Sequence, residues 1–435
     1  MISPTVAFLA LVWSLAGPPG PAPSTSTTTS HDGIDSEAVD VTLDELLGRA
    51  RQVAPDNLRA DARISLGAAA VIGARPWLPD NPVVYVGVGS RMNRSGANLE
   101  VQAQISQRLE VAGERGLRRL AASARKDALT RDAQAVNWEV EVSVRAAFAR
   151  AIIARELLVA LAQIEDFQRR TTQIVRTRVA AGDSAELQLR VAEGELALAT
   201  QARVAAEIGY ALACRELATA AGWAETAAIE PRGGLAKLGA LPDTETLLGG
   251  LDDHPRIAAL DADVDAAAAQ LAAERREVWP EPSVGVYAAS EREPGSPVAS
   301  RVVLATIEVP LPLFRRNQVD RARAEAEQRI ARTTRDTRRY ELTQEVQRWR
   351  TAADGAAVRV RSYADEVLPR FAENLSQLAR AFEIGEIGGL EVVLARQRFA
   401  DMQREALAAW SDYIDAIEGL ERVTGRTLAP AVTSP

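Results

Sequence analysis

Hydrophobic and polar positions along this chain follow two rhythms. From Gly116 to Gly182 no proline interrupts a stretch rich in Ala, Arg, Glu and Leu. Within it Val140, Val144, Ala147, Ala151, Ala154, Leu158 and Leu161 recur at alternating steps of four and three. That is the heptad seam of a coiled coil, and a helix of this length would be on the order of 100 Å long. A second such stretch runs from Gln318 to Gly385. Between Leu99 and Leu109 the period changes to two, with Leu99, Val101, Ala103 and Ile105 alternating with Glu100, Gln102, Gln104 and Ser106. A strand of this kind has one apolar and one polar face. Together with the Val-rich run Pro82–Arg91 it predicts a hairpin over 82–109, long enough to cross a bilayer.

The elements then repeat. Thr42 and Glu45 form a capping-box pattern that starts a short helix, and a second helical run ends before Pro76 and Pro79. Gly182-Asp183-Ser184 closes the first rod. Much later, Trp77-Leu78-Pro79 is echoed by Trp279-Pro280, Ile105–Leu109 by Ile307–Leu311, and Val179–Trp223 aligns without gaps to Phe382–Arg426. That alignment pairs Gly182 with Gly385, Leu187 with Leu390, Leu217 with Leu420 and Gly222 with Gly425. One unit is therefore present twice. The first, 41–223, holds helices, the hairpin 82–109, a long helix 116–181 and a return helix 185–221. An irregular connector with a short helix, 224–250, leads to the second unit, 251–426. This has a helix, a hairpin 282–312, a long helix 318–384 and a return helix 389–424, before a disordered tail 427–435. Pro369 has no counterpart in the first rod and is expected to kink the second.

Composition narrows the function. The 435 residues carry a net charge of -8, which argues against a nucleic-acid partner. Cys214 is the one cysteine and reads as a small buried helix residue, while His31 and His254 read as structural or incidental. The apolar run Thr5–Ala16 reads as the core of a secretory signal spanning 1–16, followed by a Pro/Ser/Thr-rich disordered linker, 17–40. No other apolar run approaches the length of a membrane-spanning helix, so any crossing must use strands. The candidate strand positions are Val84, Val86, Val101 and Ile105 in the first hairpin and Val284, Val286, Val303 and Ile307 in the second. Two hairpins make four strands, and a closed bacterial barrel needs at least about eight, so several chains must share one barrel. No phosphate loop, HExxH, CxxC or nucleophile elbow occurs. Neither catalysis, nor a cofactor, nor a resident metal is expected, because soft ligands are too few.

The duplicated hairpin-plus-rod pattern resembles the TolC-type outer-membrane efflux family from Val41 to about Arg426. Two stretches, Ile105-Ser106-Gln107-Arg108-Leu109-Glu110-Val111-Ala112-Gly113-Glu114-Arg115 and Pro310-Leu311-Pro312-Leu313-Phe314-Arg315-Arg316-Asn317-Gln318, are similar to its heavy-metal, CzcC-like branch. The resemblance implies a mainly α chain with a small β portion. Its long antiparallel α-helical coiled coils would build a barrel, and its two β-hairpins would contribute to a shared trimeric transmembrane β-barrel. It implies a homotrimer in outer-membrane lipid, docked to a periplasmic adaptor and an inner-membrane RND-type pump, with divalent heavy-metal cations as the cargo its metal branch suggests. It places an aperture at the tip turns, with Gly182, Asp183, Gly385, Glu386 and Glu391 as candidates. Gln188, the first-half equivalent of Glu391, is neutral, and Leu394 is apolar where some relatives carry an acid. No lipid-bearing N-terminal cysteine is present, so no lipid anchor is expected. Two alternatives remain on the residues alone: a periplasmic adaptor, which would carry one helical hairpin between split β domains, and a soluble coiled-coil scaffold, which explains the rods but not the strands.

Overall fold

Proline and glycine set most of the element boundaries. In a computed structural model the described residues are 39–428 without 79, 94–95, 224–227, 293–297, 385 and 387–388, together with 432–433. The expected signal, His31 and the linker up to residue 38 lie outside them. Strand β1 (Val39–Val41) precedes α1 (Leu43–Val53), whose N-terminus carries the Thr42–Glu45 capping box. The linker expected to run to residue 40 therefore stops short, because Val39–Val41 pairs in parallel with β4 (Ile229–Pro231). Helix α2 (Pro55–Gly73) leads to β2 (Val83–Asn93) and β3 (Gly96–Arg108), and then to α3 (Glu114–Ala180), 67 residues without a break. Helix α4 (Glu186–Ala220) returns along it.

The second half repeats the order with α6 (Pro255–Arg276), β6 (Ser283–Arg292), β7 (Ala299–Glu308), α7 (Gln318–Arg361), α8 (Leu368–Glu383) and α9 (Gly389–Thr424). The intervening segment is more ordered than an irregular connector. It holds β4, the short strand β5 (Gly234–Leu235) and α5 (Thr244–Gly249), which Asp243 caps. Within the expected tail, Leu428 and Val432–Thr433 are ordered as well. Leu428 is buried and its N–H donates to Glu421 at 2.8 Å, and β8 (Val432–Thr433) pairs antiparallel with β5.

The second rod is not the single helix expected over 318–384. A π-helical segment, Ser362–Val367, separates α7 from α8 and sits directly before Pro369. Proline has no N–H to donate and its ring crowds the carbonyl four residues earlier, here Asp365. A π turn widens the backbone at that carbonyl and absorbs the misfit.

The core is a belt halfway along the rods. The heptad seam of α3 is too narrow a description there, because Val142, Ala146, Phe148, Ala149, Ile152 and Ile153 are buried beside Val140, Val144, Ala147 and Ala151. Ala154 and Leu158 are only half-buried. A helix apolar on every side is one surrounded by neighbours. The surroundings are Leu46 of α1, Leu342 and Val346 of α7, and Tyr413, Ile417 and Leu420 of α9. Each fully buried Leu, Ile or Phe contributes about 1.5–3 kcal/mol.

Two turns at this belt report the duplication directly. Gly222 and Gly425 end α4 and α9 at the same φ of 66°. At Gly425 an added Cβ would lie 2.7 Å from Pro255 and 3.1 Å from the His254 ring. His254 caps α6: its Nδ1 accepts from the Arg256 N–H at 3.0 Å, so its Nε2 carries the proton and donates to the Arg422 carbonyl at 3.0 Å. Cys214 is buried in the same belt.

Burial first, and then the cationic Arg338 and Arg256, push the His254 imidazole below its ordinary value of 6.5. The Arg422 carbonyl and Glu139 oppose the shift without reversing it. The unfolded chain takes up this proton more readily, so the contribution of His254 is complete above pH 6.5 and is lost as pH falls through the lowered folded value. The thermal midpoint of the wild type should fall more steeply over that range than that of His254→Asn, which retains a cap but cannot titrate. Parallel curves for the two proteins would exclude His254 as a source of acid sensitivity.

Candidate functional site

Strand pairing places the eight sequence-derived β positions on one surface. The strands form one antiparallel sheet in the order β2-β3-β6-β7. Val84 stands opposite Ile105, which stands opposite Val286 on its other side. Val88 faces Val101, and Val86 faces Ala103, Ala288 and then Val303 across the sheet. Val284 faces Ile307. Residues directly opposite across a sheet share a face, so all eight lie on the same side with Ala between them. They are 39–75 % exposed within the chain.

The other face is largely polar. Tyr287 donates to Gln102 at 2.9 Å, and Gln102 donates to the Tyr85 hydroxyl at 3.2 Å, linking three strands. Gln104, Ser106 and Thr306 share that face, with Val302 and Leu304 as apolar exceptions on β7. Strands β2 and β7 each pair on one side only, so each presents an open edge within the chain. A wide apolar face, a polar face and two free edges make an unfinished barrel wall.

At the opposite end of the rods, α3 closes on a Schellman turn. Gly182 adopts φ 83°, its N–H donates to Val179 at 3.0 Å, and the Asp183 N–H reaches back to Arg178 at 2.8 Å. The same reach-back recurs in the second half, from the Glu386 N–H to Ala381 at 2.9 Å. Gly385 lies outside the described residues. Asp183, Glu386, Glu391 and Gln188 are all exposed, and Leu394 is 47 % exposed. Both turns cap the same end, because the two hairpins meet close to them: the Arg396 guanidinium lies 4.2 Å from the Phe167 ring centre, and Gln397 bonds Glu195.

One feature near the tips escaped the sequence reading. The heptad seam of α3 continues past Leu161 through Glu165, Gln168 and Thr172, all three buried. Glu165 accepts from Arg203 at 2.6 Å, Arg169 at 2.8 Å and Thr200 at 3.2 Å, while Thr172 donates to the Ala192 carbonyl at 3.0 Å. The signal was the unbroken step of four and three running on into polar residues. A search confined to apolar positions stops at Leu161.

Among the described residues no three His, Cys, Asp or Glu side chains gather into a group fit to hold a metal ion. Among them, too, no helix is long and apolar enough to cross a membrane.

Residues 250–426 match the family model described as outer membrane efflux protein. Over those residues the chain is similar to the outer membrane efflux protein family. It is 24 % identical over 331 residues to the cobalt-zinc-cadmium resistance protein CzcC of Cupriavidus metallidurans, covering 74 % of this chain and 77 % of that one. Among solved structures of this fold, CusC aligns with a TM-score of 0.68 at 16 % identity, over 95 % of this chain and 99 % of CusC. The open state of the MtrE outer membrane channel of Neisseria gonorrhoeae aligns with a TM-score of 0.67 at 17 % identity, over 88 % of each chain.

An arginine on the apolar face of the sheet should be costly at the bilayer midplane, by about 2–4 kcal/mol. Val86→Arg should therefore sharply lower the amount of protein recovered in the outer-membrane fraction, whereas Gln104→Arg on the opposite face should leave recovery near the wild-type level. Equal recovery of the two variants would contradict the division of faces.

Proposed function

We propose that this protein is the exit duct of a tripartite efflux system, spanning the outer membrane with a shared β-barrel and crossing the periplasm with its helical rods. The observation that carries this reading is the four-stranded sheet with one apolar face and two unpaired edges. In hydrocarbon an unpaired backbone edge costs several kcal/mol for each group, so the sheet is stable in a bilayer only when other copies close it. Three copies give a barrel of twelve strands, within the range of bacterial barrels. The eight apolar strand positions then face lipid and the Tyr–Gln ladder lines the lumen.

The rods end in turns that would meet a periplasmic adaptor and, through it, an inner-membrane RND-type pump. Gly182, Asp183, Gly385, Glu386 and Glu391 would border the aperture there. CzcC is named for resistance to cobalt, zinc and cadmium, and its likeness to this chain favours divalent cations as the cargo class. The duct performs no chemistry on that cargo. Conduction is passive and selection belongs to the pump. Against the adaptor alternative, this chain carries two helical hairpins, each following a strand pair. Against the soluble scaffold stands the apolar face of the sheet.

Purified protein added to a planar bilayer should give discrete conductance steps, and a protein that stays soluble and monomeric without detergent would refute the reading. At the tip, Gly182→Val forces a β-branched residue into positive φ. It should reduce export and adaptor cross-linking while single-channel conductance in a planar bilayer remains. Unchanged export would move the aperture away from this turn.

A further inference from the structure

The motif Pro310–Gln318, which marks the branch resemblance, lies outside both the paired strands and the tip turns. It follows Ile307 at the end of β7, where all four strands meet the helices. Its large apolar side chains are turned outward: Leu311 is 70 %, Leu313 63 % and Phe314 88 % exposed. Arg315 and Arg316 beside them are exposed too.

The loop is nonetheless ordered by its own hydrogen bonds. The Leu313 N–H reaches Leu311 at 2.8 Å, Gln318 donates to the Phe314 carbonyl at 2.8 Å, and the Arg316 N–H returns to the Gln318 side chain at 2.8 Å. Fixed backbone with apolar side chains in water is an arrangement that needs a covering surface.

The equivalent loop of the first half does the opposite. Aligned from Ile105 with Ile307, Ala112 stands where Phe314 is, and Gly113 and Glu114 stand where the two arginines are. Glu114 is buried and accepts from the Ala112 N–H at 2.9 Å, and Glu110 is buried against Arg118. One loop of the pair folds in and the other projects.

Three of the five aromatic side chains that stand more than half exposed among the described residues lie at this level: Trp77 at 77 %, Trp279 at 57 % and Phe314 at 88 %. Aromatic rings with arginines just beyond an apolar band are the chemistry of a membrane interface.

We infer that the loop Val309–Asn317 is a lipid anchor, resting on the barrel reading above. Leu311, Leu313 and Phe314 enter the boundary between headgroups and acyl chains of the periplasmic leaflet, and Arg315 and Arg316 hold glycerophospholipid phosphates. Continuity decides the occupant, because the loop prolongs the same strand whose Val303 and Ile307 lie on the apolar face.

The test uses the full chain reconstituted in vesicles of phosphatidylethanolamine and phosphatidylglycerol. An environment-sensitive fluorophore is placed at Phe314→Cys, and separately at Val86→Cys, both in a Cys214→Ala background. Nitroxide lipids labelled near the headgroup should quench the label at 314 at least twofold more than lipids labelled deep in the acyl chain. At 86 the deep nitroxide should be the stronger quencher. Quenching at 86 with none at 314 would overturn the anchor alone and indicate that a second copy covers the loop. No quenching at either site would overturn the barrel reading along with it. The double substitution Arg315→Ala with Arg316→Ala should weaken phosphatidylglycerol retention, measured by native mass spectrometry, by about thirtyfold. Retention equal to wild type would remove the phosphate contact.

Discussion

An unpaired strand edge cannot be left in hydrocarbon, and much of this molecule follows from that constraint. The described residues supply four strands to this sheet, leaving β2 and β7 each with a row of N–H and C=O groups unpaired within the sheet. In the proposed duct a single copy therefore cannot be the functional unit. In that proposal the helical rods would gain their arrangement from the same closure: strands joined edge to edge around a ring would bring the rods that follow them side by side. Small residues such as Ala then matter more than large ones, since neighbouring rods must approach closely around a tube.

Duplication halves the information the fold requires, but the two halves have diverged where their surroundings differ. The turns Gly222 and Gly425 keep the same φ, and the reach-back bonds of Asp183 and Glu386 occupy equivalent positions. The coiled coils themselves differ. In the first hairpin a buried ionic layer, Glu165 with Arg203, Arg169 and Thr200, joins α3 to α4. Such a layer adds little net stability but penalises any register that leaves a charge unpaired. At the matching places in the second hairpin stand Leu368 and Ala406, which accept neighbouring registers more easily. The π segment before Pro369 lies in that hairpin as well.

The sequence made the architecture legible because its signals were periodic and doubled. The alternation Leu99 to Ile105 specified a two-faced strand, and a one-residue slip would have turned every one of these side chains over. The Thr42–Glu45 box located a helix start to the residue. Less legible were features decided by partners distant in sequence. The order of Leu428 and Val432 depends on Glu421 and on β5, and nothing local to 427–435 announces it. The break in the second rod was foreseen at Pro369 as a kink, whereas the backbone relieves the proline upstream, through its effect on the Asp365 carbonyl.

The site was legible in proportion to how far it rests on covalent geometry. A glycine followed by an acidic residue at the end of a long helix identifies a turn, since the left-handed conformation at Gly182 favours a residue without a Cβ. Which charges face an opening is a different kind of fact. Asp183, Glu386 and Glu391 stand exposed on a single chain, and in the proposed duct a ring of them would form only when copies converge. The proposed aperture would thus be a property of the assembly, as the shared barrel would be. In the proposed duct both ends would be completed by neighbouring copies, whereas the belt between them already buries Phe148, Ile152, Tyr413 and Leu420 within one chain.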